Sequence, residues 1–172
     1  EIVEFSSGKD VNTALAAGSI HFGLQGSCPA SLAIAQDLGV ELIWIHEVLG
    51  DVESLVATGT SGINTVADLK GKKVAVPFAS TAHFSLLKAM ENAGLSASDV
   101  TVLDMQPDKI YASWNSGDID AAYIWEPTLS QLSNKKTVIT SGELAKAGYM
   151  TSNVEVVRTK FAEAHPDIVA AY

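Results

Sequence analysis

The chain has 172 residues, 47% of them apolar, and its 11 basic residues against 20 acidic ones give a formal charge of -9. The apolar content suffices for a well-buried core, whereas the acidic balance argues against nucleic-acid and anionic-membrane surfaces, which select clustered lysine and arginine. A single cysteine, Cys28, rules out an intrachain disulfide, and no apolar run reaches the roughly 18–20 residues that a bilayer span needs.

In chain order, the pattern predicts a strand over Ile2 to Phe5 and a helix from Lys9 to Ala17 ended by Gly18. A buried strand over Ile20 to Leu24, a helix over Pro29 to Leu38 ended by Gly39, and strands over Glu41 to Ile45 and Ser54 to Ala57 follow. Gly59-Thr60-Ser61-Gly62 reads as a linker. Beyond it come a helical turn over Thr65 to Leu69, a strand over Lys73 to Pro77, and a helix over Thr81 to Ala93 whose Ala82, Leu86, Ala89, Met90 and Ala93 share one face. Val100 to Leu103, Lys109 to Trp114, Ala121 to Trp125 and Pro127 to Leu132 continue strand, helix, strand, helix. Val154 to Val157 is a strand and Phe161 to Tyr172 a helix. The alternation predicts an α/β fold of two lobes, each a mostly parallel sheet flanked by helices. Residues 1–58, continued by 155–172, form the first lobe and 59–154 the second. Lacking a starting Met, opening in an expected strand and stopping in a helical pattern, the chain reads as an excised piece, with the first lobe truncated and any leader lost.

A short pattern occurs twice. Val11 and Ile110 stand seven residues before Gly18 and Gly117, Leu15 and Trp114 stand three before, and Ile20 and Ile119 stand two after. That is a helix, a tight turn and a strand used in both lobes.

Two strand-to-helix turns carry the functional signal: Gly26-Ser27-Cys28-Pro29 and Ala79-Ser80-Thr81-Ala82-His83. A helix start leaves backbone N–H groups unpaired and carries the positive end of the helix dipole, so it can hold an oxyanion without a basic side chain. Neither turn contains lysine or arginine, and Arg158 is the chain's one arginine. In open α/β sheets ligands gather where strands lead into helices, which places both turns, and Trp125-Glu126-Pro127 at the matching point of the second lobe, at a cleft that closes around its ligand. His83, third in its helix, reads equally as a ligand contact or a cap.

Catalytic readings are poorer. Cys28 could be acidified at a helix start, yet no base and orienting partner stand at a sensible spacing, and no G-x-S-x-G elbow occurs. His21, His46 and His165 have no metal-ligand spacing to one another, so neither a metal nor a cofactor is expected. Asp118 and Asp120 read as turn-capping groups. Stacking of an aromatic ligand on Trp114, Tyr123 or Trp125 remains an alternative.

Val74 through Leu87, Leu103-Asp104-Met105-Gln106-Pro107, Trp114, Gly117 through Trp125, Val156-Val157-Arg158, Phe161-Ala162-Glu163, His165-Pro166, and Gly26-Ser27 with Pro29 together resemble the taurine-binding periplasmic proteins of ABC importers. The resemblance spans nearly the whole chain. It implies a two-lobed type II periplasmic binding protein, a monomer that passes taurine or a related alkanesulfonate to the transmembrane subunits of an ABC permease. It also implies that the sulfonate rests on the Ser27 and Ser80-Thr81 turns. Taurine's ammonium would need an acceptor, for which Glu53 and Glu126 are the candidates. In the segment Thr151 to Val154, where such proteins tend to carry a carboxylate, this chain has Asn153, a departure that leaves the particular sulfonate open. A ligand-sensing domain of a transcription regulator would share the architecture.

Overall fold

The computed structural model describes residues 2–172 and divides into two compact units. The first contains the chain through Val48 together with Ala79–Thr81 and Ser152–Tyr172; the second contains Leu49–Phe78 and Ala82–Thr151.

In the first unit, α1 (Gly8–Ala17) ends where Gly18 takes a left-handed conformation at φ 74, its N–H returning to the carbonyls of Ala14 and Leu15. β1 (Phe22–Gly26) leads into α2 (Ser27–Ala35), which is followed by β2 (Val40–Val48). β1 and β2 do not pair with each other. The strand that returns to this unit, Ser152–Arg158, lies between them and runs antiparallel to both. Val154 and Val156 of that strand pack with Val11, Leu15, Ala30, Ala33 and Val40 under the two helices. At Gly23 an added Cβ would stand 2.7 Å from Val11 Cγ1, so the absence of a side chain lets α1 lie directly on β1.

The second unit begins with β3 (Glu53–Thr58), a 3-10 turn (Val66–Leu69), β4 (Lys73–Val76) and the body of α3 (Thr81–Asn92). It continues with β5 (Thr101–Asp104), α4 (Pro107–Ser116), β6 (Ala121–Trp125), α5 (Thr128–Gln131), β7 (Lys135–Thr140) and α6 (Ser141–Lys146). Its five-stranded sheet has the order β5-β4-β6-β3-β7. Helices cover both faces, so central strands are apolar in successive residues rather than alternately. Leu55, Val74, Val76 and Tyr123 point to the core under α3, while Val56, Ala75, Ala122 and Ile124 meet Ile110 and Trp114 of α4 on the other side. The returning strand, β8, then leads to α7 (Thr159–Ala164) and α8 (Pro166–Ala171).

The repeated helix-and-turn pattern is real. Gly18 and Gly117 are both left-handed helix ends at φ 74 and 78, and β1 and β6 are both five-residue strands beginning four residues later. Other expectations change. Parallel pairing is confined to β4 with β5 and β6; β3 is antiparallel to β6 and β7, and the smaller sheet is antiparallel throughout. Sequence alternation reports the βαβ crossover correctly, since β1 and β2 do share a direction, but it cannot see a strand from elsewhere in the chain inserted between them. Ser54 to Ala57 belongs to the larger sheet, so the first crossing falls at Val48–Leu49 rather than at Gly59, and the return falls at Thr151–Ser152. Ile2 to Phe5 pairs with no strand, and Ile2 is fully exposed; the Glu1 end of that expected strand lies outside the described residues. His165-Pro166 breaks the expected last helix in two, because proline disfavours helical geometry in the residue before it.

Candidate functional site

β1 ends at Gly26, and its backbone turns at φ -65, ψ 152 into α2. The Ser27 hydroxyl accepts the N–H of Ser152 at 3.2 Å, which ties the opening of α2 to the start of β8. In the sheet register Gly26 faces Asn153, and on its other side Asn153 faces Glu47 of β2. The Asn153 amide donates to Glu47 at 2.9 Å.

The second turn approaches the same place. A Cβ built on Gly26 would stand 2.7 Å from Thr81 Cγ2 and 3.3 Å from Thr81 Oγ1. Thus the two turns identified from sequence, 54 positions apart as Ser27 and Thr81 number, meet within the first unit. Ser80 and Thr81 are buried, and Cys28 is half-buried. Before them Ala79 adopts φ 62, a left-handed conformation that costs a residue with a Cβ about 1–2 kcal/mol. The fold holds this strained turn where the helix opens, a pattern associated with functional loops.

The remaining expected residues lie in the second unit. His83 stacks on Phe78 with ring centroids 4.4 Å apart and planes 6° from parallel. Burial holds its pKa below the ordinary value of 6.5, opposed by the Asp104 carboxylate, so the ring is neutral at pH 7. Glu53 is 1% exposed and accepts from the Ser141 hydroxyl at 2.8 Å. Trp125 faces Glu53 across β3 and β6 and packs against the cores on both sides of the sheet. Glu126 is exposed, and its two carboxylate oxygens accept from the Ser130 N–H at 2.9 Å and the Ser130 hydroxyl at 2.7 Å. Trp114 and Tyr123 are core residues, with the Trp114 indole donating to the Ser133 carbonyl at 2.8 Å. They offer no open stacking surface.

The sequence reading missed three neighbours of these residues and read a fourth, Tyr123, only as a stacking surface. Ser152 and Glu47 are visible only through strand register. Ser141 and Tyr123 are brought to Glu53 by pairing of β3 with β6 and β7. A polar groove of about 350 Å³ in the second unit, bounded by Thr58, Ser61, Trp114, Asp120 and Asn134, contains none of the expected sulfonate-site residues; of the aromatic candidates only the largely buried Trp114 borders it.

The first unit thus brings two uncharged helix openings, those of α2 and α3, to one place. The chain belongs to the NMT1/THI5-like family, whose model matches residues 1–172. It is 40% identical over 170 residues to the taurine-binding periplasmic protein of Escherichia coli strain K12, an alignment covering 98% of this chain and 52% of that protein. Among solved structures it is similar to the periplasmic aliphatic sulphonate binding protein SsuA from Escherichia coli, with TM-score 0.82 and 28% identity, covering 98% of this chain and 58% of that one. SsuA from Xanthomonas axonopodis pv. citri, an alkanesulfonate-binding protein bound to MOPS, gives TM-score 0.76 and 27% identity, covering 94% and 56%. The chain therefore spans about half the length of these relatives. Among the described residues, no helix is long and apolar enough to cross a membrane.

Proposed function

We propose that this chain belongs to a periplasmic protein that captures taurine or a closely related alkanesulfonate and delivers it to an ABC permease, acting as a monomer and without catalysis. The observation that carries this reading is the meeting of Gly26 with Thr81, which places two helix openings around one point that no basic side chain of either turn can serve. A sulfonate keeps one charge across physiological pH and offers three acceptor oxygens, so several neutral donors suit it better than a dense cationic pocket. In this reading Gly26, Ser27, Cys28, Ser80 and Thr81, with Asn153 opposite Gly26 in the sheet, are the ligand contacts of the first unit, and His83 and Trp125 are assigned as ligand contacts of the second.

The taurine ammonium is assigned to Glu53 rather than Glu126. Glu53 is the buried carboxylate, and a charge-assisted contact gains strength where water is excluded. Glu126 is exposed, with both oxygens accepting from Ser130. Calorimetric titration with taurine, ethanesulfonate, isethionate, sulfate and nitrate tests the assignment. Sulfonates are expected to bind, with taurine the tightest; absence of measurable binding by any sulfonate would refute it.

A further inference from the structure

The three strands of the first unit set a hydrogen-bond donor and an acceptor beside each other. Gly26 of β1 faces Asn153 of β8, and Asn153 faces Glu47 of β2 on its other side. Residues directly opposite on paired strands share a face, with Cβ atoms about 4.5–5.5 Å apart. Val154 and Val156 of β8 turn toward α1 and α2, so this row occupies the opposite face. A Cβ built on Gly26 would stand 2.7 Å from Thr81 Cγ2, which puts Thr81 on that same face, next to Asn153.

The Asn153 amide donates to Glu47 Oε1 at 2.9 Å. A carboxylate accepts and does not donate, so the NH2 end of the amide must lie toward β2, and the planar group then carries its oxygen on the side of β1 and Gly26. Ser27, the residue after Gly26, accepts the Ser152 N–H at 3.2 Å, which leaves its own hydroxyl proton to give. Among the described residues neither that proton nor the Asn153 oxygen has a protein partner. The first unit therefore presents a hydroxyl donor suited to an anionic oxygen and, one strand away, a carbonyl suited to a donor.

Resting on the sulfonate reading through its first-unit contacts alone, we infer that Glu47 is a positioning residue: by fixing the Asn153 amide with its oxygen toward Gly26, it makes this unit prefer a sulfonate whose other end donates hydrogen bonds over one whose other end is a carboxylate. Without a partner the amide turns freely, and its NH2 end would welcome the carboxylate that its oxygen repels. The favoured ligand class is a short alkanesulfonate ending in an ammonium, and the disfavoured class is a sulfonate ending in a second anion, of which sulfoacetate is the simplest. Glu47 itself need not touch the ligand.

The test is the ratio of taurine to sulfoacetate affinity, measured by calorimetry in the wild type, Glu47→Ala, Asn153→Ala and the double variant, with sulfoacetate read by displacement of ethanesulfonate. Glu47 is exposed and Asn153 half-buried, and neither belongs to the apolar core, so the variants are expected to fold. Losing one hydrogen bond to a charged group should lower the ratio about tenfold in Asn153→Ala, and Glu47→Ala should lower it severalfold. Glu47→Gln, whose carbonyl still accepts from the amide, should recover part of that fall. The double variant should be no worse than Asn153→Ala, because Glu47 acts through Asn153. A fall from Glu47→Ala that persists in full in the Asn153→Ala background would show Glu47 acting by its own charge and overturn the inference. Equal ratios in all variants, with only stability altered, would overturn it as well while leaving sulfonate binding intact. Failure of the wild type to bind taurine or ethanesulfonate would refute the functional reading itself.

Discussion

Gly26→Ala tests the convergence of the two turns most sharply. At φ -65, ψ 152 alanine is sterically allowed on its own backbone, and the smaller entropy of the unfolded chain would favour the variant by about 0.4–1 kcal/mol. The new methyl, however, would stand 2.7 Å from Thr81 Cγ2 and 3.5 Å from Pro29 Cδ. Carbon atoms prefer a separation of about 3.5–4.0 Å, so Thr81 must retreat by close to an ångström. Overpacking of this kind costs about 1–3 kcal/mol, leaving a net loss of between about 0 and 2.6 kcal/mol. The same retreat moves a hydroxyl from the proposed sulfonate, so ethanesulfonate binding should fall about tenfold, the worth of one hydrogen bond to a charged group. Thr81→Ser removes the clashing methyl and keeps the hydroxyl. In the Gly26→Ala, Thr81→Ser double variant both losses should therefore shrink, with a coupling of about 0.5–2 kcal/mol in denaturant unfolding and a parallel recovery in calorimetry. A clearly stabilising Gly26→Ala, or strict additivity in the double variant, would refute the convergence.

Ser80→Ala and Thr81→Ala should weaken taurine, ethanesulfonate and isethionate alike, each by about 1–2 kcal/mol in calorimetric titration, because both hydroxyls are assigned to the shared sulfonate. Glu126→Gln should leave the relative affinities of these ligands unchanged and act on the helix that Glu126 caps, seen as a loss of about 0.5–1 kcal/mol in unfolding; a selective penalty on taurine would return Glu126 to the ammonium role. His83 has its folded pKa below 6.5, so between the two values the unfolded chain binds more protons. Its contribution to stability is complete above about pH 6.5 and is lost as pH falls through the folded pKa, hence unfolding free energy should decline as pH falls below about 6.5 more steeply in the wild type than in His83→Gln. Identical slopes would remove His83 as the cause.

What the chain's own pattern revealed follows from interactions close in sequence. Glycine ends such as Gly18 and Gly117, the apolar faces of α1 and α3, and the openings of α2 and α3 are written within one or two helical turns, and all appear in the structure. The turn residues of the candidate site were legible for the same reason. The insertion of β8 between β1 and β2 was not, because strand order depends on partners more than a hundred residues away. Nor was the membership of β3, whose continuous apolar run suits either sheet; its pairing with β6 and β7 decides the matter. β7 was overlooked because Lys135 and Lys136 begin an edge strand that is half polar, whereas α6 had a readable signal in the spacing of Thr140 and Glu143, the two members of its capping box. Glu53 could be nominated from sequence, but the Ser141 hydroxyl that donates to it and the Tyr123 and Ser85 hydroxyls beside Ser141 come from three separate elements and have no shared local pattern.

If backbone amides of two distant turns grip a single oxyanion, both turns must sense the same binding event. Two-dimensional NMR of the uniformly nitrogen-labelled protein during titration with ethanesulfonate, a ligand without an ammonium, observes those amides one by one. The Ser27, Cys28, Ser80 and Thr81 amide resonances are expected to move together along one saturation curve. Movement of only one turn, or of neither while other amides respond, would contradict a shared grip.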